Sequence, residues 1–117
     1  MIPTKIHGYI DYLVGLFLII IPFILVINNP TAKWLLIGLG VSTIFYSAIT
    51  DYEMGLVGII NFKIHLFIDI LAGLFLAVAP WLFGFADEIY WPFLIIGIGE
   101  ILISFITAKK PRYPEKA

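Results

Sequence analysis

The feature that most constrains this chain is a series of long apolar segments separated by short polar connections. Hydropathy predicts four such segments, at residues 7–27, 34–50, 64–83 and 91–107, each close to the length of a helix that crosses a bilayer core. The chain is 62% hydrophobic and only 13% charged, which is unlike a soluble domain. Because lipid cannot satisfy backbone polar groups, the sequence predicts an all-α membrane protein with four transmembrane helices.

The composition excludes several classes of function. Four spans leave about 35 residues, which is too few for a separate soluble catalytic domain. The chain has no cysteine, which removes thiol nucleophiles, iron–sulfur clusters and Cys-ligated zinc. Its net charge of −1 gives no nucleic-acid signature, so no nucleic-acid partner is expected. No serine, histidine and carboxylate are spaced for nucleophilic catalysis, and we expect a protein that is not an enzyme.

The basic residues predict the orientation of the spans. Of the seven Lys and Arg residues, Lys33 alone lies in the first or third connection. The other six lie near the N terminus, in the second connection or after the last segment: Lys5, Lys63, Lys109, Lys110, Arg112 and Lys116. By the positive-inside rule, both termini are predicted to be cytoplasmic, and residues 109–117 to form a basic cytoplasmic tail. The membrane is expected to be the cytoplasmic (inner) one. Aromatic residues are expected at the outer interface (Trp34, Tyr90, Trp91) and at the inner one (Tyr52, Tyr113).

The sequence contains an internal duplication. Shifting it by 58 positions aligns residues 5–18 with 63–76, both of which read Lys-Ile-His, an aspartate four residues after the histidine, and then Gly-Leu-Phe-Leu. The later segments match through Gly-x-Gly at 38–40 and 97–99, then through 47–50 and 104–107. We therefore predict one membrane domain, 1–117, of two tandem helical hairpins at 5–50 and 63–108, inserted in the same direction. The first segment recurs in this way and carries Asp11, so a retained helix is expected rather than a signal peptide.

One helical stripe in each half collects the polar and small residues. The two sets share the spacing i, i+4, i+8, i+11 and i+15, and consist of His7, Asp11, Gly15, Leu18 and Pro22 and of His65, Asp69, Gly73, Leu76 and Pro80. We expect both stripes to face inward, with matching residues at one level. Glycines allow close helix packing and prolines bend helices. The same packing role is predicted for the mid-span glycines Gly38, Gly40, Gly97 and Gly99.

Asp11 and Asp69 need partners, because a charged carboxylate within the hydrocarbon costs about 3 kcal/mol. The candidates are the histidines one turn away, the interfacial lysines and hydroxyl groups: His7, His65, Lys5, Lys63, Tyr12 and hydroxyls of other spans. In one interpretation the Asp and His residues pair and lock the cytoplasmic end of the bundle, with no cofactor. In another, two His and two Asp form a divalent-metal site, or His7 and His65 bind haem as axial ligands.

Glu100 lies about halfway along the last span, further from water than either aspartate. The glycine alignment places Val41 at the equivalent position of the first half. A carboxyl group at this depth is expected to be protonated and to donate a hydrogen bond to Ser104, or across the hairpin to Ser42 or Thr43. Glu100 is therefore either an interhelical hydrogen-bonding group or part of a path that handles protons or ions.

The repeated motif resembles the SPW repeat family of small microbial integral membrane proteins. In that family an acidic residue lies early in a span, a glycine follows four residues later, and Ser-Pro-Trp lies near the outer end of the span. The matching residues are Asp11, Gly15 and Pro22-Phe23 in the first half and Asp69, Gly73 and Ala79-Pro80-Trp81 in the second. Ile21 and Ala79 replace the serine, and Phe23 replaces one tryptophan. The resemblance implies a four-span, two-repeat membrane protein without an assigned biochemical activity.

Three hypotheses of function follow. The leading hypothesis is a structural or partner-binding membrane unit that self-associates, because an apolar bundle with short loops has no clear catalytic set. Its expected partners are the lipid bilayer and either a second copy or another membrane protein. The alternative is a conduit for protons or a small solute that uses Glu100, Asp11 and Asp69. The third is a redox protein that binds haem or a metal through His7 and His65.

Overall fold

The computed structural model describes residues 1–111, and within this range the chain forms four helices and no sheet. The helices are α1 (Thr4–Ile24), α2 (Pro30–Ala48), α3 (Phe62–Leu82) and α4 (Trp91–Phe105). α1 packs against α2, and α3 packs against α4, which makes two helical hairpins. Of the predicted basic tail, residues 112–117 lie outside the described range.

Asparagine caps make α2 and α3 begin earlier than the apolar segments do. Asn29 Oδ1 accepts a hydrogen bond from Ala32 N–H (3.1 Å), and Asn61 Oδ1 accepts one from Ile64 N–H (2.9 Å). Each cap satisfies an N–H group of the first helical turn that has no partner within the helix. Hydropathy does not register these starts because the capping residues are polar.

Two of the four helices meet the length and hydropathy requirement for crossing a membrane. These are α1 and α3, each of 21 residues. A helix of that length rises about 31 Å, close to the thickness of the hydrocarbon core. α4 is apolar but has only 15 residues. By length and composition, the prediction of four spans is therefore supported for two of them.

The two ends of the bundle differ in chemistry. The end with the α1–α2 and α3–α4 connections holds an apolar core formed by Leu18, Ile21, Ile27, Ala32, Leu36, Leu76, Ala79, Phe85 and Phe93. Asn29 Nδ2 donates to Glu88 Oε2 across this end (2.9 Å). At the other end Ile2 N–H donates to the carbonyl of Ile106 (2.8 Å), so the N terminus meets the end of α4. Buried polar side chains concentrate at that second end.

The inward stripes of α1 and α3 are confirmed, since all ten of their residues are buried. Their glycines allow the close approach of the paired helices. A Cβ atom on Gly40 would lie 2.5 Å from the carbonyl oxygen of Gly15, and one on Gly97 would lie 2.5 Å from that of Gly73. No side chain fits at these two crossings, so glycine is required there.

The other two mid-span glycines face away from the paired helix. A Cβ atom on Gly38 or Gly99 would meet nothing within 4 Å. Residues two apart on a helix point to different sides, so only one glycine of each Gly-x-Gly can face the paired helix. Within the described part of the chain, Gly38 and Gly99 therefore pack against no other helix, and their packing role stays a prediction.

The glycine contacts also correct the register of the two halves. Gly40 and Gly97 make the same contact, which sets α2 and α4 in register at an offset of 57 residues (97 minus 40), the offset that also aligns Ser47-Ala48-Ile49-Thr50 with residues 104–107. In this register the counterpart of Glu100 is Thr43 and not Val41. A hydroxyl group and a carboxyl group thus occupy matching places in the two hairpins.

α1 and α3 end in the same way, two residues after an internal proline. Ile27 N–H donates to the carbonyl of Pro22 (2.9 Å), and Phe85 N–H donates to the carbonyl of Pro80 (2.8 Å). This hydrogen bond is the six-to-one bond of a Schellman ending, in which the residue just before the donor is left-handed and is usually glycine. The prolines therefore lie next to the helix ends.

The left-handed residue of the first ending predicts a stabilising substitution. Val26 has φ 53° there and its counterpart Gly84 has φ 76°. Since a β-branched residue is disfavoured in this conformation, we expect Val26→Gly to increase the free energy of unfolding by about 1 kcal/mol. Thermal unfolding in detergent measures the change, and the reciprocal variant Gly84→Val should lower the midpoint. A Val26→Gly midpoint at or below that of the unchanged protein contradicts this prediction.

Candidate functional site

α1 and α3 bring four ionisable side chains together inside the bundle. His7, Asp11, His65 and Asp69 have no exposed surface. Each helix contributes a histidine and an aspartate one turn apart, with Nε2–Oδ2 distances of 3.1 Å in α1 and 3.2 Å in α3. We call these four residues the His/Asp centre.

The shorter contacts of the His/Asp centre run between the two helices. His7 Nε2 lies 2.7 Å from Asp69 Oδ2, and His65 Nε2 lies 2.7 Å from Asp11 Oδ2. Together with the distances along each helix, they close a circuit in which nitrogen and oxygen atoms alternate. Each aspartate is therefore held most closely by the histidine of the other hairpin.

A threonine hydroxyl holds the second nitrogen of each imidazole. His7 Nδ1 lies 2.9 Å from Thr107 Oγ1, and His65 Nδ1 lies 2.8 Å from Thr50 Oγ1. Each hydroxyl donates its one proton to the backbone carbonyl four residues earlier, at 2.6 Å. The hydroxyl oxygen must therefore accept from the imidazole, which places a proton on Nδ1 of both histidines.

This proton assignment leaves two chemical states for the Nε2 atoms, which face carboxylate oxygens. If both Nε2 atoms carry protons, two imidazolium cations balance two carboxylates. If both are unprotonated, their lone pairs face the oxygens, and either protons on the carboxyl groups or a cation must lie between them. A divalent cation makes the second state as neutral as the first. The centre can thus act as an ion-pair lock or as a metal site.

Tyr46 is a member of the site that the sequence analysis missed. Its hydroxyl, on α2, donates to Asp69 Oδ1. The counterpart of Tyr46 in α4 is Ile103, which has no hydroxyl, and Asp11 Oδ1 is buried without a hydrogen-bond partner among the described residues. The available signal was position, because Tyr46 precedes Thr50 by four residues and so shares its helix face.

The α2–α3 connection and the first residue of α3 close the centre on one side. Phe62 stacks on the His65 imidazole with ring centroids 5.3 Å apart, and Tyr52 lies against it at 5.5 Å. Tyr52 is fully buried, so its side chain does not face lipid as an interfacial aromatic residue would. Burial also raises the pKa of the Tyr52 phenol well above its usual value. The other predicted inner aromatic residue, Tyr113, lies outside the described range.

Several other predicted partners lie away from the centre. Lys5 and Lys63 are exposed. Tyr12 donates its hydroxyl proton to the carbonyl of Met54 in the α2–α3 connection (2.8 Å). Thr4 Oγ1 lies 2.6 and 2.7 Å from the two carboxylate oxygens of Glu53. These contacts attach the connection to α1 and so keep the aromatic cover over the His/Asp centre.

Glu100 lies on α4 beside the centre but outside it. Its Oε1 atom and Ser104 Oγ are both buried without a hydrogen-bond partner among the described residues, so the predicted bond between them is absent. Glu100 lines a cavity of about 20 Å³ together with Asp69, Tyr46 and Thr43. A space of this size holds about one water molecule. Glu100 thus faces the Asp69 side of the centre across the cavity.

The fold and the site define a small, apolar, all-α protein whose two hairpins meet at buried charged groups. The family model for the SPW repeat domain matches residues 5–107, which is nearly the whole chain. The chain therefore belongs to the SPW repeat family, as its repeated motif predicted. This membership and the two long apolar helices indicate a small membrane protein. Searches of curated proteins and of solved structures return no match.

The geometry of the centre predicts energetic coupling between the hairpins. Asp69→Asn removes the carboxylate that contacts both buried histidines. We expect the free energy of unfolding to fall by about 3 kcal/mol. Denaturant unfolding in detergent with a chelator present measures the loss. The matched control is Asp87→Asn, which removes an exposed carboxylate from the α3–α4 connection and should have no effect.

A double-mutant cycle isolates the contact between His7 and Asp69. If the 2.7 Å pair couples the hairpins, the double variant His7→Leu/Asp69→Leu loses less free energy than the sum of its single variants, by about 1 kcal/mol or more. Strict additivity, or equal unfolding of Asp69→Asn and Asp87→Asn, contradicts a role for the centre in joining the hairpins.

Proposed function

We propose that this chain is an integral protein of the cytoplasmic membrane, built of four spans in two tandem repeats, that acts as a structural or partner-binding unit. In this proposal both termini are cytoplasmic. The N terminus, the α2–α3 connection and the end of α4 lie at one end of the bundle. Four exposed lysines also lie there, namely Lys5, Lys63, Lys109 and Lys110. The positive-inside rule then makes this end cytoplasmic.

The observation that carries the structural role is that the polar contacts of the His/Asp centre cross between the hairpins. His7 bonds to Asp69 and to Thr107, both from the second hairpin. His65 bonds to Asp11 and to Thr50, both from the first. A separated hairpin therefore keeps only the longer His–Asp contact along its own helix. It loses the 2.7 Å contact and the threonine that holds Nδ1, which is costly in the hydrocarbon. The two hairpins consequently act as one rigid unit.

The partner-binding surface in this proposal is the outer stripe of α2. Trp34, Gly38, Val41 and Phe45 are exposed at helical spacing, and Gly38 has open space above it. A glycine between large side chains leaves a notch in which the helix of a second copy, or of another membrane protein, approaches the backbone closely. The matching stripe of α4 has Ile95 at this place and therefore no notch.

Haem binding through His7 and His65 is not part of the proposal. Both Nε2 atoms already contact carboxylate oxygens at 2.7 Å. Phe62 stacks on one of the two imidazoles, and the cavity that touches Asp69 measures about 20 Å³. A macrocycle placed between the two histidines would have to displace all of these contacts.

The second candidate function is proton transfer through the bundle, and the position of Glu100 favours it. Glu100 Oε1 has no hydrogen-bond partner among the described residues, and the cavity separates Glu100 from Asp69 and Tyr46. One water molecule in that cavity would connect Glu100 to Asp69, and Asp69 Oδ2 is shared with both histidines. Asp11 lies on the far side of the same circuit, which extends the path across the pair of hairpins.

Self-association is tested at the Gly38 notch. Gly38→Ile gives α2 the side chain that α4 has at the same place, so we expect the oligomer to dissociate because the second helix no longer fits. Native mass spectrometry of protein released gently from its membrane reports the number of copies and any retained partner. The matched control is Ile95→Leu, which should keep the original assembly. A single-chain species for the unchanged protein, or an unaltered assembly in Gly38→Ile, argues against this surface.

Proton transfer is tested with reconstituted vesicles that contain a pH-sensitive dye. If Glu100 carries protons, a pH gradient dissipates faster with the protein than in protein-free vesicles, and Glu100→Gln returns the rate to background because the amide cannot titrate. Asp87→Asn, at an exposed position, should keep the original rate. A rate that equals background, or that Glu100→Gln leaves unchanged, removes the conduit as a function.

A further inference from the structure

We propose that the His/Asp centre binds one divalent first-row transition-metal ion through Nε2 of His7 and His65 and Oδ2 of Asp11 and Asp69. This inference rests on the same geometry as the proposed joining of the hairpins and adds a ligand to it. The four atoms lie within 4.8 Å of one another, and all four residues are buried. Imidazole nitrogen and carboxylate oxygen are ordinary ligands of such ions.

The distances suit an ion after a small expansion. Tetrahedral coordination with bonds of about 2.0 Å separates neighbouring ligand atoms by about 3.3 Å. The four Nε2–Oδ2 distances are now 2.7, 2.7, 3.1 and 3.2 Å. The four Nε2–Oδ2 pairs therefore need to move apart by between about 0.1 and 0.6 Å, which is within the reach of side-chain rotation. The Nε2–Nε2 and Oδ2–Oδ2 pairs lie within 4.8 Å and adjust by the same rotations.

The groups around the ligands are those expected around a metal site. A metal-binding histidine usually donates its other N–H to an oxygen, which fixes the tautomer and the orientation of the imidazole. Thr107 and Thr50 accept in this way from Nδ1 of His7 and His65. Tyr46 donates to the outer oxygen of Asp69 and orients that carboxylate.

Asp11 supplies an independent observation that points to a ligand. Its Oδ1 atom is buried and has no hydrogen-bond partner among the described residues, although Oδ2 contacts both histidines. A buried carboxylate oxygen without a partner is costly, and a cation bound at the same carboxylate compensates for it. The equivalent oxygen of Asp69 needs no such compensation, because Tyr46 donates to it.

Charge and ligand type define the class of ion. Two carboxylates, two neutral imidazoles and a divalent cation sum to zero, which suits a site without exposed surface. A monovalent or trivalent ion leaves a net charge in the hydrocarbon. The absence of sulfur disfavours Cu(I), and two nitrogen ligands disfavour Ca²⁺ and Mg²⁺. The remaining class is a divalent ion that accepts tetrahedral coordination, such as Zn²⁺ or Co²⁺.

The coordination is closed, which assigns the ion a structural role. Four protein ligands fill a tetrahedral site, whereas catalytic sites keep one position for water or substrate. Phe62 and Tyr52 cover the centre on one side. Two of the ligands come from each hairpin, so the ion joins the hairpins by the same residues as the ion-pair form.

Cobalt binding to the whole protein tests the proposal. Protein purified in detergent and stripped with a chelator is titrated with Co²⁺, and native mass spectrometry and visible absorption are recorded. We expect one Co²⁺ per chain, the intense visible bands of tetrahedral cobalt, and displacement by Zn²⁺. Asp11→Asn should weaken binding by about 100-fold or more, and Asp87→Asn should leave it unchanged.

A second variant, Thr50→Val, keeps all four ligands and so tests the site even where Asp11→Asn fails to fold. This variant removes only the acceptor of His65 Nδ1, and we expect about tenfold weaker binding. Absence of stoichiometric binding, or unchanged binding in both Asp11→Asn and Thr50→Val, overturns the metal site. The proposal that the centre joins the hairpins is tested separately, by the unfolding of Asp69→Asn in the presence of a chelator.

Discussion

The cost of placing charge in hydrocarbon is the constraint on which the rest of this structure depends. Two aspartates and two histidines lie inside an apolar bundle with no exposed surface, and each can remain there only while its partners hold it. The closest partners come from the other hairpin, so in the proposed structural role the cost of separating the charges keeps the hairpins together. Apolar packing alone is a weaker determinant of such an arrangement, because lipid tails compete with it.

Much of the fold follows from periodicity. The stripes of α1 and α3 were predictable because a polar residue every turn in an apolar segment leaves only one face that can point inward. The convergence of the stripes followed from the internal duplication, which places like residues at like depth. What periodicity could not supply is the choice of partner: a histidine one turn from an aspartate predicts a contact within the helix, and the shorter contacts cross to the other helix.

The remaining parts of the site lie in residues whose role depends on register. The sequence alignment matched one whole Gly-x-Gly motif with the other. The contacts instead make Gly40 the counterpart of Gly97, since only one glycine of each motif faces the neighbouring helix. That difference hid the correspondence of Glu100 with Thr43. Tyr46 was hidden for another reason, because an aromatic residue in an apolar segment contributes to hydropathy whether or not its hydroxyl has a partner. Helix caps and left-handed residues such as Val26 leave no trace in hydropathy at all.

The two hairpins differ at a few positions of the site, and these differences are informative because the rest of the site is the same in both. Each histidine has its threonine and each aspartate its histidine. Yet α2 has a tyrosine and a threonine at the positions that isoleucine and glutamate occupy in α4. A purely structural lock has no need of this difference, since two identical halves close the circuit equally well. The difference gives one aspartate a donor and a neighbouring cavity and leaves the other with an unpartnered oxygen. The two carboxylates are therefore chemically distinct, and any ion or proton at the centre meets two unlike sides.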